Sequence, residues 1–182
     1  MIVEPEETDK KAARRDVHDW NDEVIHLAED WHQRVYAAQC AHYASAELLR
    51  LLHYIIGVPA VVFASIVGTA IFAGLEKDSP RALVVASVSI LAAVLSALQT
   101  FLRLSERAAA HATAADWFSA VRRDIEEVLH LPLESRGRAK DFLDRVRKEM
   151  NRVTQDAPQL RVRLWKREAM RFNVKEPMEI IG

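Results

Sequence analysis

Charged and uncharged residues are separated along this chain into blocks. Residues 51–75 and 82–102 contain no aspartate, glutamate, lysine or arginine, and the other positions hold all 25 basic and 26 acidic residues. As helices with a rise of about 1.5 Å per residue, the two runs are roughly 37 and 31 Å long, against about 30 Å of membrane hydrocarbon. Both are therefore predicted to cross a membrane. The mean hydropathy of −0.08 averages over both kinds of block and conceals them.

The alternative is a pair of apolar helices buried in a large soluble core. A chain of 182 residues leaves few amphipathic helices to wrap such a pair, so we favour insertion. The first run begins about 50 residues into the chain and follows no cleavage-type region, which argues against a signal peptide.

The connection between the runs sets their arrangement. Only residues 76–81 separate them, and Pro80 suits a tight turn, so the sequence predicts an antiparallel hairpin with both chain ends on one side. Five arginines near the membrane on the terminal side, against two basic residues in the loop, favour cytoplasmic termini. The single cysteine, Cys40, fits a reducing compartment. The terminal-side arginines are Arg34, Arg50, Arg103, Arg107 and Arg122, and the loop residues are Lys77 and Arg81.

Apolar side chains outside the two runs recur every three or four residues, which places them on single helix faces. These stripes predict cytoplasmic helices that pack on one another or on neighbouring subunits. Pro132 and Pro158 are predicted to end two of these helices. In chain order the stripes are Trp20, Val24, Leu27, Trp31, Val35 and Ala38; Ala114, Phe118, Val121, Ile125 and Val128; and Leu143, Val146, Met150 and Val153.

Two predictions concern helix continuity. No glycine or proline interrupts residues 89–111, so the second helix is predicted to run unbroken from near Ala82 to Leu129. Pro59 lies early in the first run, where it either kinks the helix or starts a new one. We favour a kink.

Small residues spaced by four occur in both runs, a pattern that lets helix backbones approach closely in a membrane. They are Ala60, Ala64 and Gly68 in the first run, and Ser89, Ala93 and Ala97 in the second.

Polar side chains also align within the apolar runs. Their alignment predicts either a water-facing stripe or hydroxyls that bond to the helix backbone, which is the commoner case. Gln99 is harder to place in lipid, because an unsatisfied amide in hydrocarbon costs several kcal/mol. It is expected to face protein or water. The candidate pore-lining residues are Ser89, Ser96, Gln99, Thr100, Arg103 and Arg107, and Ser65 pairs with Thr69 in the first run.

Several short motifs resemble the SLATT family, the two-transmembrane effectors associated with SMODS and SLOG domains. They are W-x-x-R-V from Trp31 with a later His-Tyr, GVP and VGT in the first run, and QTFL…ERA…H from Gln99. The resemblance covers roughly residues 31–160. It implies a membrane effector of bacterial conflict systems, located in the inner membrane, that forms pores when a nucleotide-signalling partner fires. The positions that match the family pattern, without an assigned role, are Trp31, Arg34, His42, Tyr43, Gln99, Glu106, Arg107 and His111.

A pore would require several copies of the chain, because two helices cannot enclose a water column. The expected partners are thus the lipid bilayer, further copies of the chain and a separate signalling or sensor protein. A non-conducting oligomeric scaffold and a gated housekeeping channel remain alternatives.

Evidence for other chemistry is weak. His18-Asp19 resembles the metal-binding pair of HD phosphohydrolases, but no companion ligand motif follows. His26, His32 and His42 share no metal-ligand spacing with a carboxylate. The chain is therefore expected to be no enzyme, with no cofactor, no metal and no nucleic-acid partner. The basic run from Arg161 to Arg171, interleaved with apolar residues, is expected to pack on the stalk or near lipid headgroups.

The sequence thus predicts an all-α membrane protein, with a two-helix transmembrane hairpin whose long helices extend into a cytoplasmic helical stalk. The predicted segments are a flexible N-terminus (1–16), an amphipathic helix (17–50), transmembrane helices (51–75 and 82–102) joined by a loop (76–81), an extension of the second helix (103–131), C-terminal helices (132–171) and a tail (172–182).

Overall fold

A computed structural model describes residues 19–72, 80–172 and 174, and over these ranges the chain is helical and contains no strand. The predicted all-α fold is confirmed for this part of the chain. The predicted N-terminal segment 1–16, most of the loop 76–81 and most of the tail lie outside the described residues. The helices are α1 (Asp22–Phe72), α2 (Pro80–Leu102), α3 (Leu104–His130), α4 (Ala139–Asp156) and α5 (Val162–Arg171), with a short 3₁₀ turn at Leu133–Ser135.

The chain divides into two compact units. Unit 1 comprises the described residues within 1–45 and 111–182, and unit 2 comprises those within 46–110. Each unit has its own cluster of buried apolar side chains.

The core of unit 1 is built from the predicted stripes. All five predicted residues of α3, from Ala114 to Val128, are buried. In α4, Val146 and Val153 are buried, and Leu143 and Met150 pack at the edge of the core. Leu27 is the exposed member of the first stripe: it is 39% exposed within the single chain, and the neighbouring Ala28 is buried.

Trp20 enters this core from a position just before α1 rather than from within a helix. Its indole N–H donates a hydrogen bond to the carbonyl of Gly137 over 2.8 Å. The side chain of Asn21 accepts a hydrogen bond from the backbone N–H of Val24, which is typical of a residue that caps a helix N-terminus. Helix α1 begins at Asp22, and residues 17 and 18, where the predicted helix starts, lie outside the described residues.

Helix ends agree with the prolines that were expected to set them. Helix α3 ends at His130, before Pro132, and α4 ends at Asp156, before Pro158. Proline also lies within α1, at Pro59, and the helix continues through it. The alternative in which a new helix starts at Pro59 is therefore wrong.

The second long helix is not continuous as predicted. Arg103 separates α2 from α3 and has a φ of 46°, in the left-handed region. An L-residue there costs roughly 1–2 kcal/mol, because its Cβ crowds the following carbonyl. Arg107 N–H already bonds to the carbonyl of Arg103, so the interruption is confined to one residue. Composition alone does not reveal it, since no helix breaker is present.

In unit 2, the first and second apolar segments contact each other. Leu49 of α1 is buried in one cluster with Leu104 and Ala108 of α3. Leu52, Ile56 and Leu102 pack against this cluster.

Candidate functional site

Large apolar side chains cover the outer surface of unit 2. Leu83 is 73% exposed and Phe101 83%, and twelve other large apolar residues between Leu51 and Leu98 are also exposed. Two helical segments, Asp22–Ala70 and Arg81–His130, each contain a strongly apolar window of 18 residues. Only 11% of the first window and 6% of the second are buried. The chain therefore has two helices long and apolar enough to cross a membrane, and most of the residues in their apolar windows are not buried in the structure.

Only some of the predicted small residues lie between the two segments. Ala60 is buried, as is Ala92, which the spacing pattern did not single out. Ala64, Ala93 and Ala97 are exposed, and a Cβ added at Gly68 would meet nothing within 4 Å. Close packing within one chain therefore uses Ala60 from the predicted set, together with Ala92.

Most of the hydroxyl groups in the apolar helices bond to their own helix. Ser65, Thr69, Ser87 and Thr100 each donate to the carbonyl four residues earlier, over 2.8 to 3.1 Å. This is the backbone-bonded arrangement that the sequence left open. Ser89, Ser96 and Thr100 share an exposed face of α2.

Gln99 lies apart from that face and points to the first helix. Its Nε2 is 3.4 Å from Nδ1 of His53. A Cβ added at Gly57 would lie 2.7 Å from the same nitrogen, so the amide occupies space that only a glycine leaves free. Sequence reasoning missed both partners, although His53 is the one ionisable side chain other than Tyr54 in residues 51–75.

The arginines at the end of α2 are exposed. Arg103 pairs with Glu106, and Arg107 lies one helical turn after Arg103. Because this ion pair is open to solvent, it contributes little stability, but it reduces the positive charge that Arg103 presents.

Two positions of the family pattern meet in unit 1. His42 and His111 are both buried, and their Nδ1 atoms are 3.1 Å apart. The ring of His42 also stacks on Phe118, with centroids 5.5 Å apart. Burial lowers the pKa of His42 to about 4, and the neighbouring His111 acts in the same direction. His42 is therefore neutral near pH 7 and belongs to the packed interior.

The remaining pattern residues are placed on the same bundle. Tyr43 donates a hydrogen bond to Asp116 over 2.6 Å, and that bond raises the pKa of Tyr43. Arg34 pairs with Asp30 one turn earlier in α1. Trp31 packs at the edge of the core. Each of these residues therefore makes a structural contact within the helical bundle of unit 1.

Among the described residues, no three histidine, cysteine, aspartate or glutamate side chains lie close enough to hold a metal ion. Burial raises the pKa of the half-buried Cys40 thiol, which disfavours the reactive thiolate.

No protein-family model matches the chain, and neither a curated protein nor a solved structure does.

Proposed function

We propose that this chain is a multi-pass membrane protein that assembles into a homo-oligomer and forms a pore. The observation that carries the proposal is the exposure of the apolar helices, with large side chains such as Leu83 and Phe101 on the outside. Moving one such side chain out of water is worth about 1.5–3 kcal/mol. Contact with acyl chains and neighbouring helices would remove all of these exposed apolar side chains from water.

The contacts within unit 2 support a hairpin. Leu49 clusters with Ala108, and Gly57, further along α1, meets Gln99, which lies earlier in the chain than Ala108. Residue numbers thus rise along one segment as they fall along the other, which fits antiparallel helices. The arginine distribution then favours cytoplasmic termini.

Pore formation requires several hairpins with a polar side turned inward. The exposed face with Ser89, Ser96 and Thr100 is the proposed lumen side. Arg103 and Arg107 follow at its cytoplasmic mouth, where they would favour anions to the extent that Glu106 leaves their charge uncompensated.

The resemblance to SLATT proteins supports a specific role for such a pore. The chain would act as an effector in bacterial antiviral defence, and would depolarise or lyse the cell when a separate signalling protein activates it. The proposal includes no enzymatic step.

A non-conducting scaffold is the second candidate, and the hydroxyl groups favour it. Thr100 already bonds to the carbonyl of Ser96 in its own helix, so the candidate lumen offers fewer free polar groups than the sequence suggests. Such a scaffold would use unit 1 to position partners.

Three measurements test these proposals. Alkaline extraction of cell membranes should leave the full chain in the pellet, and a soluble monomer without detergent would refute insertion. Induced expression with a potential-sensitive dye should report depolarisation, whereas a scaffold leaves the potential unchanged. Purified protein in planar bilayers should give discrete current steps.

A further inference from the structure

A polar contact between the two apolar segments joins Gln99 to His53. The amide of Gln99 is half-buried, and with the ring proton on Nε2 it donates a long hydrogen bond to His53 Nδ1, at 3.4 Å. The hydroxyls of Ser65, Thr69, Ser87 and Thr100 bond within their own helices, so they do not hold the segments together.

Gly57 completes this contact from the other side. Because an added Cβ would approach Nε2 of Gln99 to 2.7 Å and its Cδ to 3.3 Å, a side chain at position 57 would force the amide away from His53. The atom that would be displaced is the end of a flexible side chain, so the helices themselves need not separate.

The contact also fixes the rotation of α2. At 100° per residue, Gln99 lies roughly 80° around the helix from the centre of the face with Ser89, Ser96 and Thr100. While Gln99 is bound to His53, its amide is held toward α1 and away from the side that carries Ser89, Ser96 and Thr100.

We propose that Gln99 and His53, packed over Gly57, form a clamp that holds the apolar hairpin in a non-conducting arrangement, and that release of this clamp opens the pore. The gating half of this statement rests on the proposed function. The clamp itself is a property of the hairpin whether or not the protein conducts.

Single-channel recording of the full chain in planar bilayers tests the gating half. Gln99→Leu and Gly57→Ala should each raise the open probability about threefold per subunit, the factor that an average interhelical hydrogen bond contributes in a membrane, with unit current unchanged. Gly68→Ala is the matched control, because the same substitution in α1 meets open space there. It should leave the open probability unchanged.

A residue that lines the lumen would behave differently. If Gln99→Leu lowers the unit current without changing the open probability, Gln99 faces the pore and the clamp is refuted. Gly57→Ala added to Gln99→Ala should have no further effect, because the amide it displaces is already gone. Additive effects would also contradict the proposal.

Thermal unfolding in detergent tests the clamp independently of conduction. His53→Ala and Gln99→Ala should be less than additive when combined, as expected for residues in contact. Strict additivity would refute the clamp. If wild type and all variants are silent in bilayers while the unfolding data show coupling, the pore function and its gating fail but the interhelix clamp stands.

Discussion

His42 and His111 face each other in the interior of unit 1 with Nδ1 atoms 3.1 Å apart, although 69 residues separate them in the chain. One ring must donate and the other accept across this distance. Two protonated rings would direct two N–H groups at each other in a buried position, so the contact requires at least one neutral histidine.

The stability of unit 1 should therefore fall in acid. Burial depresses the pKa of His42 from 6.5 to about 4 in the folded state. As the pH falls below 6.5, the unfolded chain takes up a proton before the folded chain does, so the stabilisation is complete above this pH and is lost toward pH 4. The expected loss is about 3 kcal/mol.

All four tryptophans lie in unit 1, so near-ultraviolet circular dichroism of the detergent-solubilised protein reports its melting. Carboxylates titrate in the same range, and the comparison with His42→Phe isolates the histidine contribution. Phenylalanine preserves the contact with Phe118 but takes up no proton. Equal slopes of melting temperature against pH in the two proteins would contradict the buried neutral histidine.

Ile125 is expected to be a major contributor to the core of unit 1. It is fully buried, and its replacement by alanine leaves a cavity that typically costs 2–5 kcal/mol. The melting temperature of Ile125→Ala should fall by several degrees, because 1 kcal/mol corresponds to about 2–4 °C in a protein of this size. Arg123→Ala changes an exposed residue two positions earlier and should stay near the wild-type value. Similar values for both variants would contradict the predicted core.

Helical periodicity was sufficient to predict this core in α3 and α4. Phe118 and Val146 repeat with their neighbours at spacings of three and four, and burial follows directly from that geometry. The same rule did not single out Ala28, which is buried next to the exposed Leu27, because a small residue in a close helix contact gives little hydrophobic signal. Uncharged length likewise identified both helices that are apolar enough to cross a membrane.

Contacts between distant segments could not be predicted in the same way. The pairing of His42 with His111, and of Gln99 with His53, depends on the register of two helices against each other, which a single sequence does not encode as a local pattern. The backbone at Arg103 was equally hidden, since arginine is an ordinary helix residue.

The hydrogen bond from Trp20 to Gly137 should be measurable. Trp20→Phe retains an aromatic ring beside Phe142, whose centroid is 5.4 Å from that of Trp20, but leaves the Gly137 carbonyl without the indole donor. A loss of about 1–3 kcal/mol is expected in the free energy of unfolding. Trp117→Phe makes the same substitution at an exposed position and should cost less. Equal melting temperatures for the two variants would show that the indole hydrogen bond contributes nothing.

The left-handed conformation of Arg103 predicts an unusual response to glycine. Glycine adopts a positive φ without steric cost, so Arg103→Gly should leave the free energy of unfolding unchanged or raise it by up to about 1 kcal/mol, even though the ion pair to Glu106 is lost. Arg107→Gly removes the same side chain within α3 and should lower the free energy by about 1 kcal/mol, the usual cost of glycine inside a helix. Far-ultraviolet circular dichroism during denaturation in detergent measures both. If the two variants are destabilised equally, Arg103 has ordinary helical geometry, and α2 and α3 form one unbroken helix.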